Sequence, residues 1–417
     1  MVKKNVFIIC SEKIYGSNLA SSSRILNYAK LLAEMNIDVY FSSKTHRLIQ
    51  KREIKEIQKG VYFIDNFNKD EGFRRFLFRN SFISTILYLI IISCFIRKTE
   101  GKTSVLLYPS TDYTMESMCL LILKWILGLH LFCEVNELRR AGLTLVPFSM
   151  NPNKFFVAMH LRIKYFFHKN NEYLYKFFNG LIVISTNLEK YYIKFNKNII
   201  RVPILADVRL YNPDIMKFEI GQQFKIGFSG QVNIKKEGLD TLYEAISLVK
   251  KEYPNIQLDI YGSHDPRDKK KLDEIIYVNN LEANIFYKGT VPQEKIPQLL
   301  NQYNLLVIPR KENLQTKYGF STKLSDYLLT GVPILTTAIS DIKLYFIDEK
   351  NAYLISDIST QSFKDKLLLI IKNYNQHYNK IKNEAFKTLK HEFDYRNYCL
   401  IISDFLFTNE LKQKFKI

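Results

Sequence analysis

The sequence predicts an α/β protein made of two doubly wound parallel-sheet domains. Short apolar runs alternate with helical periods along the whole chain, the pattern of strands joined by crossover helices. At 417 residues, 47% of them hydrophobic, the chain has material for two cores. A polar run over residues 203–223, opening on Pro203, interrupts the alternation and reads as the boundary.

In the first half, residues 5–10 read as a strand rather than a signal peptide, because their apolar run is short and passes straight into polar residues. A polar loop holding Gly16 leads to a helix over 21–33, which Ser21, Ser22 and Ser23 can cap. Strands follow at 38–41, 61–64 and 105–108, then a helix at 115–128. A strand at 131–135 ends in Asn136-Glu137-Leu138-Arg139. An aromatic helix over 154–178 and strands at 181–185 and 199–202 complete this half. The second half repeats the scheme, with strands at 225–228, 257–261, 284–287 and 305–308 and helices at 239–250 and 293–302. Residues 362–407 read as mostly helical. The expected domains are residues 1–205 and 206–390, with a C-terminal helix in 391–417 packing back on the first domain.

Charge narrows the partners. The net charge is +19, and residues 1–200 hold 29 Lys and Arg against 15 Asp and Glu. A basic domain seeks nucleic acid, an anionic membrane surface or a pyrophosphate-linked substrate; a lysine-rich proteome is the plain alternative. No nucleic-acid recognition motif is present, so no nucleic-acid partner is expected. The uncharged stretch 81–96 (SFISTILYLIIISCFI) is shorter than the roughly 20 residues that span a bilayer. It fits a buried helix of the first domain, or one in the lipid interface with Arg74, Arg75, Arg79, Arg97 and Lys98 meeting headgroups. Five scattered cysteines lack metal-ligand spacing and suit a reducing cytosol. None of the seven histidines falls in a motif, and Ser-His-Asp, HExxH and CxxC patterns are absent.

The most informative segment is 319–333, Gly-Phe-Ser-Thr-Lys-Leu-Ser-Asp-Tyr-Leu-Leu-Thr-Gly-Val-Pro. It lies between two buried-strand runs and makes one αβ unit of a parallel sheet. Its small-residue loop opens a helix, whose N-terminal amides suit a diphosphate together with Gly319, Ser321, Thr322 and Lys323. Asp326 stands about one turn beyond Lys323, placed to hold a ribose diol while the lysine holds phosphate.

This segment resembles the donor signature of retaining glycosyltransferases of the GT-B fold, group 1 (family four), and in particular bacterial surface-polysaccharide enzymes. Asp326 takes the place of the signature's second Glu, whereas Tyr318 stands where the first would be. Further matches follow in order. Gly230 lies in a Gly-rich turn after a strand; Lys236, or else Lys235, matches the family's pyrophosphate lysine; Gln231 stands where Arg is usual. Lys323 or Arg310 can supply that missing charge, although a surface lysine pair is the plain alternative for Lys235 and Lys236. Val291 would read the nucleobase edge, and Gly16 would let its loop approach the donor. Glu134, Asn136 and Glu137 would orient the transferred sugar or an acceptor hydroxyl, Glu137 near the chemistry, unless Glu137 simply pairs with Arg139 or Arg140.

The resemblance implies two Rossmann-like domains facing across a cleft. It also implies a metal-independent enzyme without cofactor that passes a sugar from a UDP- or GDP-sugar to a hydroxyl with retention. The Asp-x-Asp metal motif of the other main glycosyltransferase fold is absent. The implied acceptor is a saccharide, linked to polyprenyl diphosphate, in capsule or lipopolysaccharide assembly. The implied location is cytoplasmic, peripheral on the inner face of the membrane. Two rivals stay open: a nucleotide-sugar epimerase of the same fold, and a non-catalytic GT-B scaffold subunit kept alive by Tyr318 and Gln231.

Overall fold

A computed structural model of the chain describes residues 2–10, 20–43, 53–65, 90, 93–108, 114–143, 147, 152–213, 222–292 and 295–408. Gly16, Arg74, Arg75, Arg79 and most of the stretch 81–96 lie outside them, and only residues 90 and 93–96 of that stretch are described. The chain divides into two compact units. Unit 1 comprises Met1–Tyr15, Ile25–Val202 and Tyr398–Ile417; unit 2 comprises Gly16–Arg24 and Pro203–Asn397.

Unit 1 is built on an eight-stranded sheet. In chain order its strands are β1 (Lys4–Cys10), β2 (Asp38–Ser43), β3 (Glu53–Gln58), β4 (Val61–Asp65), β5 (Lys102–Tyr108), β6 (His130–Val135), β7 (Gly180–Val183) and β8 (Ile199–Arg201). They lie in the order β3-β4-β2-β1-β5-β6-β7-β8. Sequence reading expected parallel strands only, but β3 and β4 form an antiparallel hairpin around Lys59-Gly60, with Gly60 at φ 77°. β3 reads Glu-Ile-Lys-Glu-Ile-Gln, with its two isoleucines three residues apart, so it lacks the period of two that marks a strand. The central strands are buried on both faces and therefore read as continuous apolar runs. Phe7, Tyr40 and Tyr62 stack across three strands at 4.7 and 5.1 Å.

Helices α1 (Ala20–Glu34), α2 (Thr114–Leu127), α3 (Pro152–Leu174) and α4 (Thr186–Tyr192) connect these strands. The helix Cys399–Phe407, the last among the described residues, also belongs to unit 1. Ser104 Oγ donates to the Leu406 carbonyl at 2.6 Å, and the Phe405 ring lies 5.2 Å from Phe132.

Unit 2 has six parallel strands: β9 (Phe224–Ser229), β10 (Ile256–Tyr261), β11 (Ile285–Gly289), β12 (Leu305–Ile308), β13 (Ile334–Thr337) and β14 (Tyr353–Ile355). Their order β11-β10-β9-β12-β13-β14 is the 3-2-1-4-5-6 arrangement of a Rossmann-like sheet. The helices in this unit are α5 (Ile234–Glu237), α6 (Leu239–Val249), α7 (Pro266–Val278), α8 (Ile296–Leu300), α9 (Leu314–Tyr318), α10 (Lys323–Thr330), α11 (Ile342–Tyr345) and α12 (Thr360–Thr388). Phe224, Ile226, Phe228, Leu258, Ile260, Leu305 and Val307 form the core under α6 and α12. The helical end expected over 362–407 is not continuous. The chain breaks at Asp394, where the Phe393 carbonyl and the Tyr395 amide both bond to Ala206, and only then enters the helix at 399–407.

Candidate functional site

Order reversal in the second sheet puts β9 and β12 side by side with their chains leaving in opposite directions. Ligands of such sheets bind beyond the carboxyl ends of strands at this switch point. Two loops stand there, Gly230–Asn233 after β9 and Pro309–Asn313 after β12. They are laced together: the Lys311 amide donates to the Lys236 carbonyl at 3.2 Å, and Asn313 Nδ2 to the Lys235 carbonyl at 2.9 Å. Gly238 ends α5 at φ 62°, and a Cβ there would lie 2.2 Å from the Pro309 carbonyl oxygen, so the close approach requires glycine.

The chemistry gathers around one buried carboxylate. Glu237 Oε2 lies 2.6 Å from Lys323 Nζ, and Oε1 lies 3.6 Å from Arg310 Nη2. All three side chains are largely withdrawn from water, with 5%, 11% and 13% exposure for Glu237, Lys323 and Arg310. Lys236, on the same turn of α5 as Glu237, adds its charge to the group. Burial pushes the Glu237 carboxyl upward, but Lys323, Arg310 and Lys236 outweigh burial and bring it down to about 2. Burial lowers the Lys323 ammonium to about 8, against the attraction of Glu237 and with the help of Arg310 and Lys236. Three cations around one anion leave an excess of positive charge facing the switch point.

Lys323 is held on its other sides too. Its ammonium sits 4.2 Å over the Phe228 ring. A Cβ at Gly230, whose φ is 145°, would stand 2.1 Å from Lys323 Cε. Tyr327, one turn along α10, accepts a hydrogen bond at its hydroxyl from the Ser229 amide at 2.8 Å, tying α10 to the end of β9. The loop Gly319–Thr322 leads into α10 as the sequence predicts, but a short helix, α9, precedes it, opened by a reciprocal Asn313 and Thr316 cap. Gly319 and Ser321 line a small pocket with Arg310, Thr316, Thr336 and Thr337. The Ser321 hydroxyl and Arg310 Nε are buried there without a hydrogen-bond partner among the described residues.

So the structure brings together Gly230, Lys236, Arg310 and Lys323, with Gly319 and Ser321 beside Arg310. Thr322 caps α10 with a helical backbone and accepts from Ser325 Oγ at 2.7 Å through its carbonyl. Asp326 is buried in the first turn of α10. Val291 follows the edge strand β11, two strands away from β9. Gln231 is exposed and Tyr318 half-buried. Sequence reasoning missed Glu237; its acid lies between two lysines and a glycine, a string that looks like a solvated helix start.

Unit 1 carries the other set. Glu134 is fully buried on β6. Just beyond that strand, Asn136 Nδ2 donates to the Tyr108 hydroxyl at 2.8 Å. Glu137 pairs with Arg139 at 3.7 Å. Arg140 instead joins Glu172 at 2.8 Å and the Tyr191 hydroxyl at 2.7 Å. Of the two salt bridges considered for Glu137, the one to Arg139 forms.

Known proteins align with this architecture. Residues 214–388 match the model of the family described as glycosyl transferases group 1. A poly(ribitol-phosphate) alpha-N-acetylglucosaminyltransferase of Staphylococcus aureus (strain COL) is 29% identical over 138 residues, 32% of this chain. That match spans only 26% of the relative's length. Among solved structures, TarM aligns with TM-score 0.68 at 13% identity over 97% of this chain and 98% of its own. S. aureus TarM in complex with fondaparinux, alpha-GlcNAc-glycerol and UDP aligns with TM-score 0.66 at 14% identity, over 97% and 100% of the two chains. A sucrose-phosphate synthase from Thermosynechococcus elongatus gives 0.66 at 11% identity, over 96% and 98%.

Proposed function

We propose, from the match of residues 214–388 to the group 1 glycosyl transferase model, that the chain moves a sugar from a nucleotide-diphosphate sugar to a hydroxyl. The observation that carries the reading is the cationic cluster of Lys236, Arg310 and Lys323 at the switch point of the second sheet. Charge grows on a nucleoside diphosphate as its bond to the sugar breaks. Fixed cations in a dry site stabilise that change more than they stabilise the bound donor. These side chains can supply the positive charge that a metal ion would otherwise bring, in keeping with a metal-independent enzyme. Ser321 and the start of α10 would hold phosphate oxygens, Asp326 the ribose diol, and Val291 the base. Transfer with retention would follow the family pattern, the departing diphosphate taking the acceptor's proton.

A UDP-sugar is the first donor to test, since solved structures of similar fold include complexes with UDP. The proposed acceptor is a saccharide of a surface or cell-wall polymer, carried on a polyprenyl diphosphate lipid at the cytoplasmic face of the membrane. Among the described residues no helix is long and apolar enough to cross a membrane. What supports a membrane partner is a face of unit 1. Lys124 Nζ of α2 donates to the carbonyl of Phe177, in the turn that follows α3, at 2.6 Å. The two helices expose Trp125 (88%), Ile126 (71%), Phe156 (59%) and Phe166 (61%). The cations Arg162, Lys164, Lys169 and Lys176 accompany them. Apolar rings beside basic side chains suit an anionic lipid interface.

The test is release of nucleoside diphosphate from UDP- and GDP-sugars by the purified chain in the presence of EDTA. Lys236→Ala and Lys323→Ala should each depress turnover more than donor binding. A folded wild-type chain that neither binds nor cleaves any nucleotide sugar would leave the scaffold reading standing instead.

A further inference from the structure

We infer that Glu237 is a positioning residue of this donor site: it fixes the Lys323 ammonium against the switch point and keeps it charged, so that the ammonium can meet a diphosphate. The inference rests on the proposed function, and goes beyond it by giving a role to an acid in a place where the ligand is itself an anion. A carboxylate beside a phosphate site repels the ligand, so its presence there calls for a reason.

The surroundings provide one. Lys323 is taken out of water by the Phe228 ring, by the tight backbone at Gly230 and by α10 itself. A buried ammonium sheds its proton unless an anion stands close. The charged groups that act on Lys323 are Glu237 and Lys236 from α5 and Arg310 after β12. Of these three Glu237 is the carboxylate, in direct contact at 2.6 Å; Asp326 and Tyr327 stand further along α10. Arg310 and Lys236 both act to discharge Lys323. Were Glu237 neutral, Lys323 and Arg310 would face each other across it without the negative charge that both of them contact. Of the two lysines, Lys323 is the buried one, and it would give up its proton first. The same carboxylate also sets direction: gripped between Lys323 and Arg310, it spaces the two cations on either side of itself.

Glu237→Gln keeps the shape and removes the charge. An opposite charge within about 4–6 Å moves a pKa by about 1–3 units, so this variant should lose the Lys323 proton that much earlier as pH rises. The experiment measures UDP affinity between pH 6 and 9 for the wild type and the variant, with donor turnover followed in parallel. The wild type should hold its affinity to about pH 8. The variant should match it near pH 6 and fall about tenfold below it by pH 7.5. UDP's own titration affects both proteins alike and cancels in the ratio. Lys323→Arg, whose guanidinium does not titrate here, should abolish the alkaline loss, also when combined with Glu237→Gln.

A folded Glu237→Gln whose affinity ratio to wild type does not change with pH overturns the inference. If that variant does not fold, Glu237→Asp with its shorter reach replaces it and should shift the alkaline limb in the same direction. An unshifted limb in the aspartate variant overturns the inference equally. Failure of the wild type to bind UDP or any other nucleoside diphosphate would sink the proposed function itself, a separate outcome.

Discussion

The residues nearest the expected donor divide into those that hold charge and those that hold shape. Asp326 is the clearest single test of the nucleotide. A buried carboxylate accepting from ribose hydroxyls contributes about 1.5–3 kcal/mol, so Asp326→Ala should weaken nucleotide binding roughly ten- to over a hundredfold in a chain that still folds. Isothermal titration with UDP decides it, and unchanged affinity removes Asp326 from the site. Glu237 predicts a pH dependence of stability. Its folded pKa is depressed, to about 2 from 4.5. Its stabilisation is therefore complete above about pH 4.5 and is lost as the pH falls through that value toward 2. The stability gap between wild type and Glu237→Gln should narrow over that window in urea melts. A constant gap would mean that the carboxylate's charge is not what matters. Lys323 and Asp326 stand out in the sequence as candidates because glycines, small residues and a helix period frame them, and Arg310 because it ends an apolar strand run. Glu237 does not, because burial depends on Pro309, Arg310 and Lys323 arriving from about 70 to 90 residues further along the chain.

At the level of elements, the site depends on how closely two loops approach. Gly230→Ala adds a methyl toward Lys323 Cε at a φ that alanine avoids. The expected result is loss of UDP binding with a drop in Tm, and wild-type values for both would show that Lys323 can move aside. Helices α2 and α3 carry a different prediction. Exchanging Trp125, Phe156 and Phe166 for Ser should reduce co-sedimentation with vesicles rich in anionic lipid while leaving UDP affinity unchanged. Binding of wild type should also weaken as salt rises, since the Debye length contracts from about 30 Å at 0.01 M to about 8 Å at 0.15 M. A chain that stays in the supernatant at low salt would count against the proposed membrane partner. In the sequence, residues 81–96 draw notice as a helix either buried or in the lipid interface, because a continuous uncharged run is conspicuous; most of that stretch lies outside the described residues. The exposed face of α3 is interspersed with Lys, Arg and His and gives no such run. Its exposure becomes visible only once the buried side, with Ala158, Asn171 and Glu172, is known.

For the molecule as a whole, the alternation of apolar runs and helical periods was enough to read two parallel-sheet units. Charged edge strand β3 and three-residue strand β14 escaped, being too short or too polar to show a period. A nucleotide that binds only the folded chain, at 100 times its dissociation constant, adds about 2.7 kcal/mol. For a unit of 150–250 residues that corresponds to roughly 5–10 °C in Tm. A screen over UDP-, GDP- and ADP-sugars should therefore single out one base, and a flat screen would count against a nucleotide site.

The helix Cys399–Phe407 has a consequence for how the chain is made. The chain leaves unit 1 after Val202 and re-enters it only at Tyr398. Ser104 and Phe132, which meet Leu406 and Phe405, leave the ribosome some 270 to 300 residues before their partners do. Throughout that interval the first sheet must wait with one apolar flank uncovered, while the second unit is synthesised and can close its own core. The earlier-born unit is thus the later to finish, against the usual N-terminal-first order. A chain halted near residue 397 should present a complete second unit attached to a first unit that holds chaperones and protease alike until its last helix arrives.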